Sequence, residues 1–402
     1  MSSTDPWHGA NPADPAFRAD PHPALARLRA EHPVDETPLG LFRLTRYADV
    51  VRLLKEVPSG VRRSDGSRFG VVDTPMTGGP SEFMLQQDPP AHTRLRRLVS
   101  KAFTPRAVEG MRPHVQRLVD TLIDRVEERG WLDVIADLAL PLPSTVICEM
   151  MGVPAADRPR FTEWTSAATH LLAALLSDPD VVARGVEAVT HLGDYFTDLI
   201  AERRRNLGDD ILSDLIRAEE QGDRLSPDEL LSQSIGLLIA GFETTIGLIG
   251  NGIHALLSHP DQLAALQQDP SLIGSAVEEC LRYDGPILLT IRIPRDDVRF
   301  GDKVIPADKP VMCMIGAANH DPAHFPDPER FDIRRADNDH LAFGGGVHFC
   351  LGAHLARMET QVAIGGFVRR LRGPVLAREE RVWGGSLFRV LGSLPVAFDG
   401  AR

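Results

Sequence analysis

The residues best suited to chemistry lie in a glycine-rich stretch over residues 343–352. Three consecutive glycines cannot hold a regular element, whereas the residues after Cys350 have helical spacing, so the sequence predicts a tight loop with Cys350 at the start of a helix. Unpaired amides and the positive end of a helix dipole lower the pKa of a thiol, and the thiolate is the form that binds a metal. A single thiolate is a ligand that suits haem iron.

The distribution of the cysteines disfavours a zinc site. Zinc takes three or four protein ligands, usually at close spacing. The other cysteines, Cys148, Cys280 and Cys313, are distant in sequence, and the chain contains no C-x-x-C motif. A zinc hydrolase is therefore a remote alternative, and a buried cysteine in a glycine loop is the non-catalytic interpretation.

A second group of polar residues interrupts an apolar helix. Residues 226–229 contain a capping serine, a proline at the first helical position and an acidic first turn, and the apolar pattern continues to about His259. In its middle, Glu243 and Thr244 place polar groups where the helix is expected to be buried, and buried polar groups need partners or a task. A threonine can bond the carbonyl four residues back, and Gly241 would let a bulky group approach. Alternatively, Glu243 only reaches a nearby arginine.

Two further pairs have helical spacing. Residues 88–103 predict a helix that begins after a proline pair, with His92 and Arg96 on one face, where they could bind a buried carboxylate. A basic helical face of this kind is more often solvated. Glu279 and Arg282 are three residues apart, a spacing so common on surface helices that it is weak evidence by itself.

Together these segments resemble the cytochrome P450 superfamily of haem-thiolate monooxygenases, in its soluble bacterial form. The loop matches the pattern F-x-x-G-x-H/R-x-C-x-G, and the middle of the long helix matches A-G-x-E/D-T. The resemblance implies that Cys350 is the axial ligand of the haem iron, and that Glu243 and Thr244 deliver protons during oxygen activation. It implies four residues that bind the haem propionates: His92, Arg96, Arg292 and His348. It also implies a buried structural set: Glu279, Arg282 and Arg330.

The implied fold class is mainly α with a smaller β region. It is a single cytochrome P450 domain over residues 1–402, with the haem between the long central helix and the helix of the cysteine loop. The residue patterns agree with one domain, because they show no linker, repeat or long single-sign block. Residues 1–20 are expected to form a flexible segment. Residues 34–44 predict a hairpin, and residues 105–206 are almost entirely helical in period, with breaks at 130, 141–143, 152–154 and 177–179.

Several segments are assigned to the substrate pocket by the same resemblance. Residues 58–90 are too long for a simple connector and lie over the pocket in the family, although a disordered insertion would also fit. The break at 177–179 falls between two helices that form a mobile lid in the family. Residues 287–290 precede Arg292 on the pocket side, and residues 387–391 are expected to add a last turn to the pocket wall.

Charge and composition limit the partners. The chain has 44 basic and 56 acidic residues, a net charge of -12, which argues against nucleic acid and anionic membranes. No stretch of about 18 uninterrupted apolar residues is present, so no segment is expected to span a membrane. Four scattered cysteines and no signal peptide fit a cytoplasmic protein, which we expect to be a monomer.

The implied reaction inserts one oxygen atom from O2 into an apolar, medium to large organic molecule, by hydroxylation or epoxidation. The cofactor is expected to be haem b, since no C-x-x-C-H motif is present. The chain also contains no flavin segment, no phosphate-binding glycine loop after a strand and no iron-sulfur cysteine cluster, so electrons are expected from a ferredoxin and a ferredoxin reductase. The basic residues Arg94, Arg97 and Lys101 are candidates for the docking surface.

Two alternatives stay open besides the zinc hydrolase. A peroxide-driven haem-thiolate peroxygenase would use the same cysteine ligand, but such enzymes tend to lack the pair that Glu243 and Thr244 supply. A haem gas sensor would bind the cofactor without turnover. The sequence does not identify the substrate.

Overall fold

The computed structural model describes residues 7–11, 14–69, 83–171, 179–220, 225–378, 381–384 and 388–400. Within them the helices are α1 (Pro15–Ala19), α2 (His22–Glu31), α3 (Tyr47–Lys55), α4 (Ala91–Val99), α5 (Pro105–Asp124), α6 (Pro141–Met150), α7 (Arg158–Thr169), α8 (Pro179–Arg205), α9 (Ile211–Glu220), α10 (Pro227–Ser258), α11 (Pro260–Gln268), α12 (Ile273–Asp284), α13 (Ile315–Ala318) and α14 (Ala353–Arg370). The strands are β1 (Val34–Glu36), β2 (Phe42–Leu44), β3 (Ser59–Gly60), β4 (Trp131–Asp133), β5 (Thr290–Pro294), β6 (Val298–Phe300), β7 (Lys303–Ile305), β8 (Val311–Cys313), β9 (Val375–Leu376), β10 (Val382–Trp383), β11 (Leu391–Ser393) and β12 (Pro395–Ala397).

The long helix α10 organises the helical part. It begins with a capping box, in which the Glu229 amide donates to Ser226 Oγ (3.1 Å) and the Ser226 amide donates to the Glu229 carboxylate (2.8 Å). It packs against α6, α7, α8, α12 and α14, and most of its residues are buried. α10 is long and apolar enough to cross a membrane, but 78% of its most apolar window is buried inside the protein, as in a core helix. The predicted central helix is therefore confirmed.

The main sheet has five strands in the order β1-β2-β8-β5-β3. The predicted hairpin is confirmed, because β1 and β2 pair antiparallel with Val34 opposite Leu44. Arg292 lies on β5 opposite Val311 of β8, which fixes its place in the sheet. A separate three-stranded sheet contains β4, so the prediction of almost continuous helix over residues 105–206 is wrong at Trp131–Asp133, where the chain pairs with β12.

One other expectation needs correction. The segment 1–20 is not loose where the structure describes it, because Ala10 and Phe17 are buried in a cluster with α2, and α1 spans Pro15–Ala19. The break predicted at residues 141–143 is present, because a π-helix over Val134–Ala139 ends just before it and α6 begins at Pro141. Prolines fit the first turn of α6 because the first amides have no partner within the helix.

The predicted pocket segments are only partly within the described residues. Residues 70–82 of the segment 58–90 lie outside them, as do 177–178 between α7 and α8 and residue 387 of the expected last turn. The described end of the first segment packs on the central helix, where Phe83 is so close to Gly236 that a Cβ there would overlap its ring.

Candidate active site

Cys350 lies in a tight turn immediately before α14. Gly344 and Gly346 have φ values of 69° and 67°, and the Cys350 amide donates to the Phe343 carbonyl (3.0 Å). A Cβ at Gly346 would overlap the carbonyl oxygen of Leu54 on α3, so glycine allows the loop to lie against that helix. All four cysteines are described, and Cys350 alone is exposed. The predicted loop at a helix start is confirmed.

The pKa of the Cys350 thiol departs from the sequence expectation. Although Cys350 is accessible to solvent, many protein atoms lie around its thiol, and the desolvation that they cause raises its pKa above the usual range. The amide of Gly352 and the charges of Arg96 and Arg357 act in the opposite direction without outweighing burial. The favourable amides and helix end are thus present, but they do not lower the pKa of the free thiol. A bound metal ion would replace the thiol proton and stabilise the thiolate that desolvation disfavours.

The four side chains predicted to bind the propionates come together. The rings of His92 on α4 and His348 in the loop are 4.3 Å apart between centroids. Burial lowers the pKa of His92 to about 4, and the positive charges of His348, Arg96 and Arg292 act in the same direction. Burial also lowers the pKa of Arg292 and of His348. The chain therefore brings two arginines and two histidines from three elements together, and the lowered histidine pKa values favour neutral rings that can still donate hydrogen bonds.

Arg96 also has a role that the sequence did not indicate. Its Nη2 donates to the Phe349 carbonyl (2.6 Å) and its Nη1 to the Val347 carbonyl (3.3 Å). Its guanidinium thus ties α4 to the two residues on either side of His348. Whether it also reaches a propionate stays a prediction.

Asp88 lies next to this group and was not singled out from the sequence. Its carboxylate accepts hydrogen bonds from the amides of Val61 (2.9 Å) and Arg62 (3.2 Å) and from Arg295, and lies 3.8 Å from His348 Nε2. Burial opposes ionisation of Asp88, but the His348 ring, these amides and the Arg295 charge outweigh it and lower its pKa to about 2. Asp88 therefore anchors the start of α4 to the end of β3. The one available signal was its position directly before the proline pair.

The residues present fit a haem. His92 Nδ1 and both ring nitrogens of His348 are buried and find no hydrogen-bond partner within the described part of the chain. Buried polar atoms normally have partners, and cationic or donor groups of this kind suit carboxylates. Haem would bring an iron to the Cys350 thiol and two propionate carboxylates to the unpartnered nitrogens of His92 and His348. Among the described residues, no three His, Cys, Asp or Glu side chains are grouped so that they could hold a metal ion by themselves.

The middle of α10 is accessible, unlike its flanks. Residues 232–238 and 245–253 are buried, whereas Ala240 is exposed and Glu243 and Thr244 are half-buried. Thr244 Oγ1 donates to the Ala240 carbonyl (2.9 Å), which confirms the expected bond four residues back. Gly241 lets a bulky group approach, as expected, and in the described residues that group is the Ile147 side chain of α6, since a Cβ at Gly241 would lie 3.2 Å from Ile147 Cδ1. It permits helix packing.

The buried set around Glu279 differs from the prediction in one residue. Glu279 accepts two hydrogen bonds from Arg282 (both 2.8 Å), and both side chains are 0% exposed. The second arginine is Arg335, whose Nε lies 3.2 Å from Glu279. Arg330 was predicted for this place and is not there: its side chain is 65% exposed, near Asp332. A turn from Asp332 to Arg335 brings Arg335 back towards Glu279, while Arg330 supplies only its carbonyl to Arg282.

Comparisons with known proteins agree with this geometry. A family model described as Cytochrome P450 matches residues 67–376. Cytochrome P450 107B1 of Saccharopolyspora erythraea is 43% identical over 373 residues, covering 89% of each chain. The cytochrome P450 monooxygenase PikC of Streptomyces venezuelae is 43% identical over 402 residues, covering 96% of this chain and 93% of its own. The crystal structure of P450BioI in complex with a hexadec-9Z-enoic acid ligated acyl carrier protein matches with a TM-score of 0.88 at 36% identity, over 96% of this chain and 100% of that one.

Proposed function

Because this chain belongs to the cytochrome P450 family, and is a cytochrome P450 monooxygenase, we propose that it inserts one oxygen atom from dioxygen into an apolar organic substrate. The reaction is a hydroxylation or an epoxidation. The observation that carries the proposal is that the exposed thiol of Cys350 lies beside a buried group of histidines and arginines with unsatisfied polar atoms.

The cofactor would be haem b, whose iron the Cys350 thiolate would bind. When bound, it supplies the iron at which dioxygen is activated, and a thiolate ligand favours cleavage of the oxygen-oxygen bond. His92, Arg292 and His348 would bind its propionates, because their donor atoms are buried in one place. Arg96 would serve both the propionates and the loop carbonyls.

Glu243 and Thr244 would handle protons at the accessible part of α10. Thr244 Oγ1 donates to the Ala240 carbonyl, and rotation of the side chain would direct the same hydroxyl proton away from the helix. The adjacent Glu243 carboxyl is half-buried and could resupply that proton. Thr245 is buried and its longer bond to Gly241 (3.4 Å) keeps it against the helix.

An apolar substrate is supported by the described wall segments. A small cavity of about 20 Å³ is lined mainly by apolar residues: Phe17, Leu288, Leu289, Met314, Phe388 and Val390 among them. Leu288 and Leu289 belong to the segment expected on the pocket side. We propose that a ferredoxin and its reductase supply the electrons to a cytoplasmic monomer, and that the substrate is a medium to large apolar molecule.

The test is turnover with a defined electron supply. Apolar compounds are first screened for a shift of the haem Soret band, and each hit is incubated with a ferredoxin, a ferredoxin reductase, NADPH and isotopically labelled dioxygen. The proposal predicts a product that carries one labelled oxygen. Product formed only when peroxide replaces the electron donors would indicate a peroxygenase, and binding without any turnover would indicate a gas sensor.

A further inference from the structure

Glu278 precedes Glu279 on α12 but serves a different part of the chain. Its carboxylate accepts two hydrogen bonds from Arg357 on α14, from Nε to Oε1 and from Nη2 to Oε2, both 2.7 Å long. It also pairs with His340, whose Nε2 lies 3.1 Å from Oε2. One carboxylate therefore binds one residue that precedes the cysteine loop and one that follows it.

The hydrogen bonds around His340 fix which ring nitrogen carries the proton. The Ala342 amide donates to His340 Nδ1 (3.2 Å), so Nδ1 is an acceptor. The proton of the neutral ring must then be on Nε2, where it donates to Glu278. Burial opposes ionisation of Glu278, but the hydrogen bonds from His340 and Arg357 and the charge of Arg357 outweigh it and lower its pKa to about 2. Glu278 is thus a carboxylate with donors on both sides.

The contacts of Arg357 continue to the cysteine itself. The guanidinium carbon of Arg357 lies 4.5 Å from the centre of the Phe343 ring, a cation-π contact. The carbonyl of Phe343 accepts the hydrogen bond from the Cys350 amide (3.0 Å). A bidentate pair between arginine and carboxylate fixes an angle as well as a distance, so this sequence of contacts can orient the loop.

We propose that Glu278, Arg357 and His340 form a clamp that positions Cys350 as a ligand. We define the clamp as these three side chains. They are positioning residues, because they contact the loop and its flanks and not the reacting atoms. The inference rests on the proposed haem-thiolate function, since it concerns the geometry in which the thiol meets the iron. Outer contacts of this kind orient ligands at metal sites in general.

The same helix provides a matched control. Arg370, at the other end of α14, donates to Asp124 (2.7 Å) and Glu127 (3.3 Å). Its side chain is 19% exposed, close to the 27% of Arg357. Arg370→Ala therefore breaks a comparable interhelical ion pair that has no described contact with the loop.

The experiment measures how fast the protein loses thiolate ligation. Holoprotein with Glu278→Gln, Arg357→Ala, Arg357→Lys or Arg370→Ala is incubated at raised temperature, and the red-shifted Soret band of the ferrous carbon monoxide complex is followed. We expect the band to be lost roughly tenfold faster in Glu278→Gln and Arg357→Ala. Arg357→Lys should rescue part of the difference, since it keeps the charge but not the bidentate geometry. Arg370→Ala should match the natural protein.

A second readout does not depend on ligation. Amide hydrogen exchange in a peptide that covers residues 341–352 should accelerate in Glu278→Gln and Arg357→Ala, and not in Arg370→Ala. The clamp is overturned if neither the band nor the exchange of this peptide changes more than in Arg370→Ala. If Arg357→Ala does not fold, Glu278→Gln and Arg357→Lys decide the matter. Should the natural protein lack the thiolate band, the proposed function fails, while hydrogen exchange still decides whether the clamp holds the loop.

Discussion

The cysteine loop and the middle of α10 are held in opposite ways. The loop contacts several helices. Arg96 of α4 donates to the Phe349 carbonyl, Gly346 packs on Leu54 of α3, and the Arg357 guanidinium of α14 lies over the Phe343 ring. The hydroxyl of Thr244 bonds within its own helix, where the side chain is half-buried. A metal ligand requires a fixed position, whereas substrate, oxygen and protons require access. Under the proposed function, this difference would give the iron ligand Cys350 a fixed position and leave Glu243 and Thr244 accessible to oxygen and protons.

The largest expected effect on stability comes from the buried ion pair between Glu279 and Arg282. Arg282→Ala strands the buried Glu279 and removes donors from the carbonyls of Asn319, Pro328 and Arg330, so we expect a loss of about 3–5 kcal/mol and little folded holoprotein. Haem content and urea unfolding measure this loss.

Substitutions of Arg330 and Arg335 test which of them is the second arginine that binds Glu279. Arg330→Ala should change the free energy of unfolding by less than about 0.5 kcal/mol, because that side chain is exposed. Arg335→Ala should fall between the two, since it removes one of several donors to Glu279. If Arg330→Ala were more damaging than Arg335→Ala, the assignment of Arg335 would be wrong.

The next largest effect concerns Thr244 in the middle of α10 and the coupling of NADPH consumption to product formation. Thr244→Ala should leave haem content and substrate binding near normal but reduce the coupling of NADPH consumption to product to roughly a tenth, because the hydroxyl acts on protons and water replaces it only in part. Peroxide formed per NADPH measures the uncoupling. Thr245→Ala is the matched control and should stay coupled; the reverse result would transfer the role to Thr245.

A smaller effect depends on pH and tests the anchoring of α4. The pKa of Asp88 is lowered from 3.8 to about 2 in the folded protein, so its contribution is present above the unfolded value and is lost as the pH falls through the folded one. Asp88→Asn should lower the free energy of unfolding by on the order of 1–2 kcal/mol at neutral pH. Urea unfolding at several pH values should show this gap closing between about pH 4 and pH 2. A gap that is constant over that range would refute the account of Asp88.

The smallest effect concerns docking of an electron donor on the thiolate side. Arg97 and Lys101 are exposed. Arg94 was also predicted for the docking surface, but its charge is paired with the carboxylate of Glu229. Arg97→Glu with Lys101→Glu should slow reduction by an acidic ferredoxin on the order of tenfold at low salt and hardly at all at high salt, because salt screens steering.

A variant of equal net charge controls for this result. Arg204→Glu with Arg205→Glu changes exposed charges at the end of α8 by the same amount, and it should leave the stopped-flow reduction rate unchanged. Equal slowing in both double variants would mean that overall charge, and not a docking surface, sets the rate.

Local signals were predictable from the sequence and distant partners were not. The start of α10 and the cysteine loop follow from a capping serine, a proline and glycines, each of which acts within a few residues. The choice of Arg335 over Arg330 depends on a turn that returns the chain to α12, and either arginine is compatible with the local pattern. Spacing within one helix gave the bond of Thr244 correctly, but it could not identify Ile147 as the neighbour of Gly241, because Ile147 comes from another element.

Contacts that join remote elements were missed altogether. Glu278 is separated by 62 residues from His340 and by 79 from Arg357, so no periodicity in the sequence connects them. The strand at Trp131–Asp133 exists because β12 pairs with it, and an isolated three-residue strand leaves little trace in an otherwise helical stretch. The pKa of Cys350 depends on how much protein surrounds the thiol, which the loop motif does not specify.

The absorbance spectrum of the ferrous carbon monoxide complex shows whether Cys350 binds the haem iron. We expect the purified protein to bind one haem b per chain and to show the red-shifted Soret band of thiolate ligation. Cys350→Ser should abolish that band. A Soret band typical of histidine ligation in fresh native protein, or a thiolate band that survives Cys350→Ser, would rule out Cys350 as the ligand.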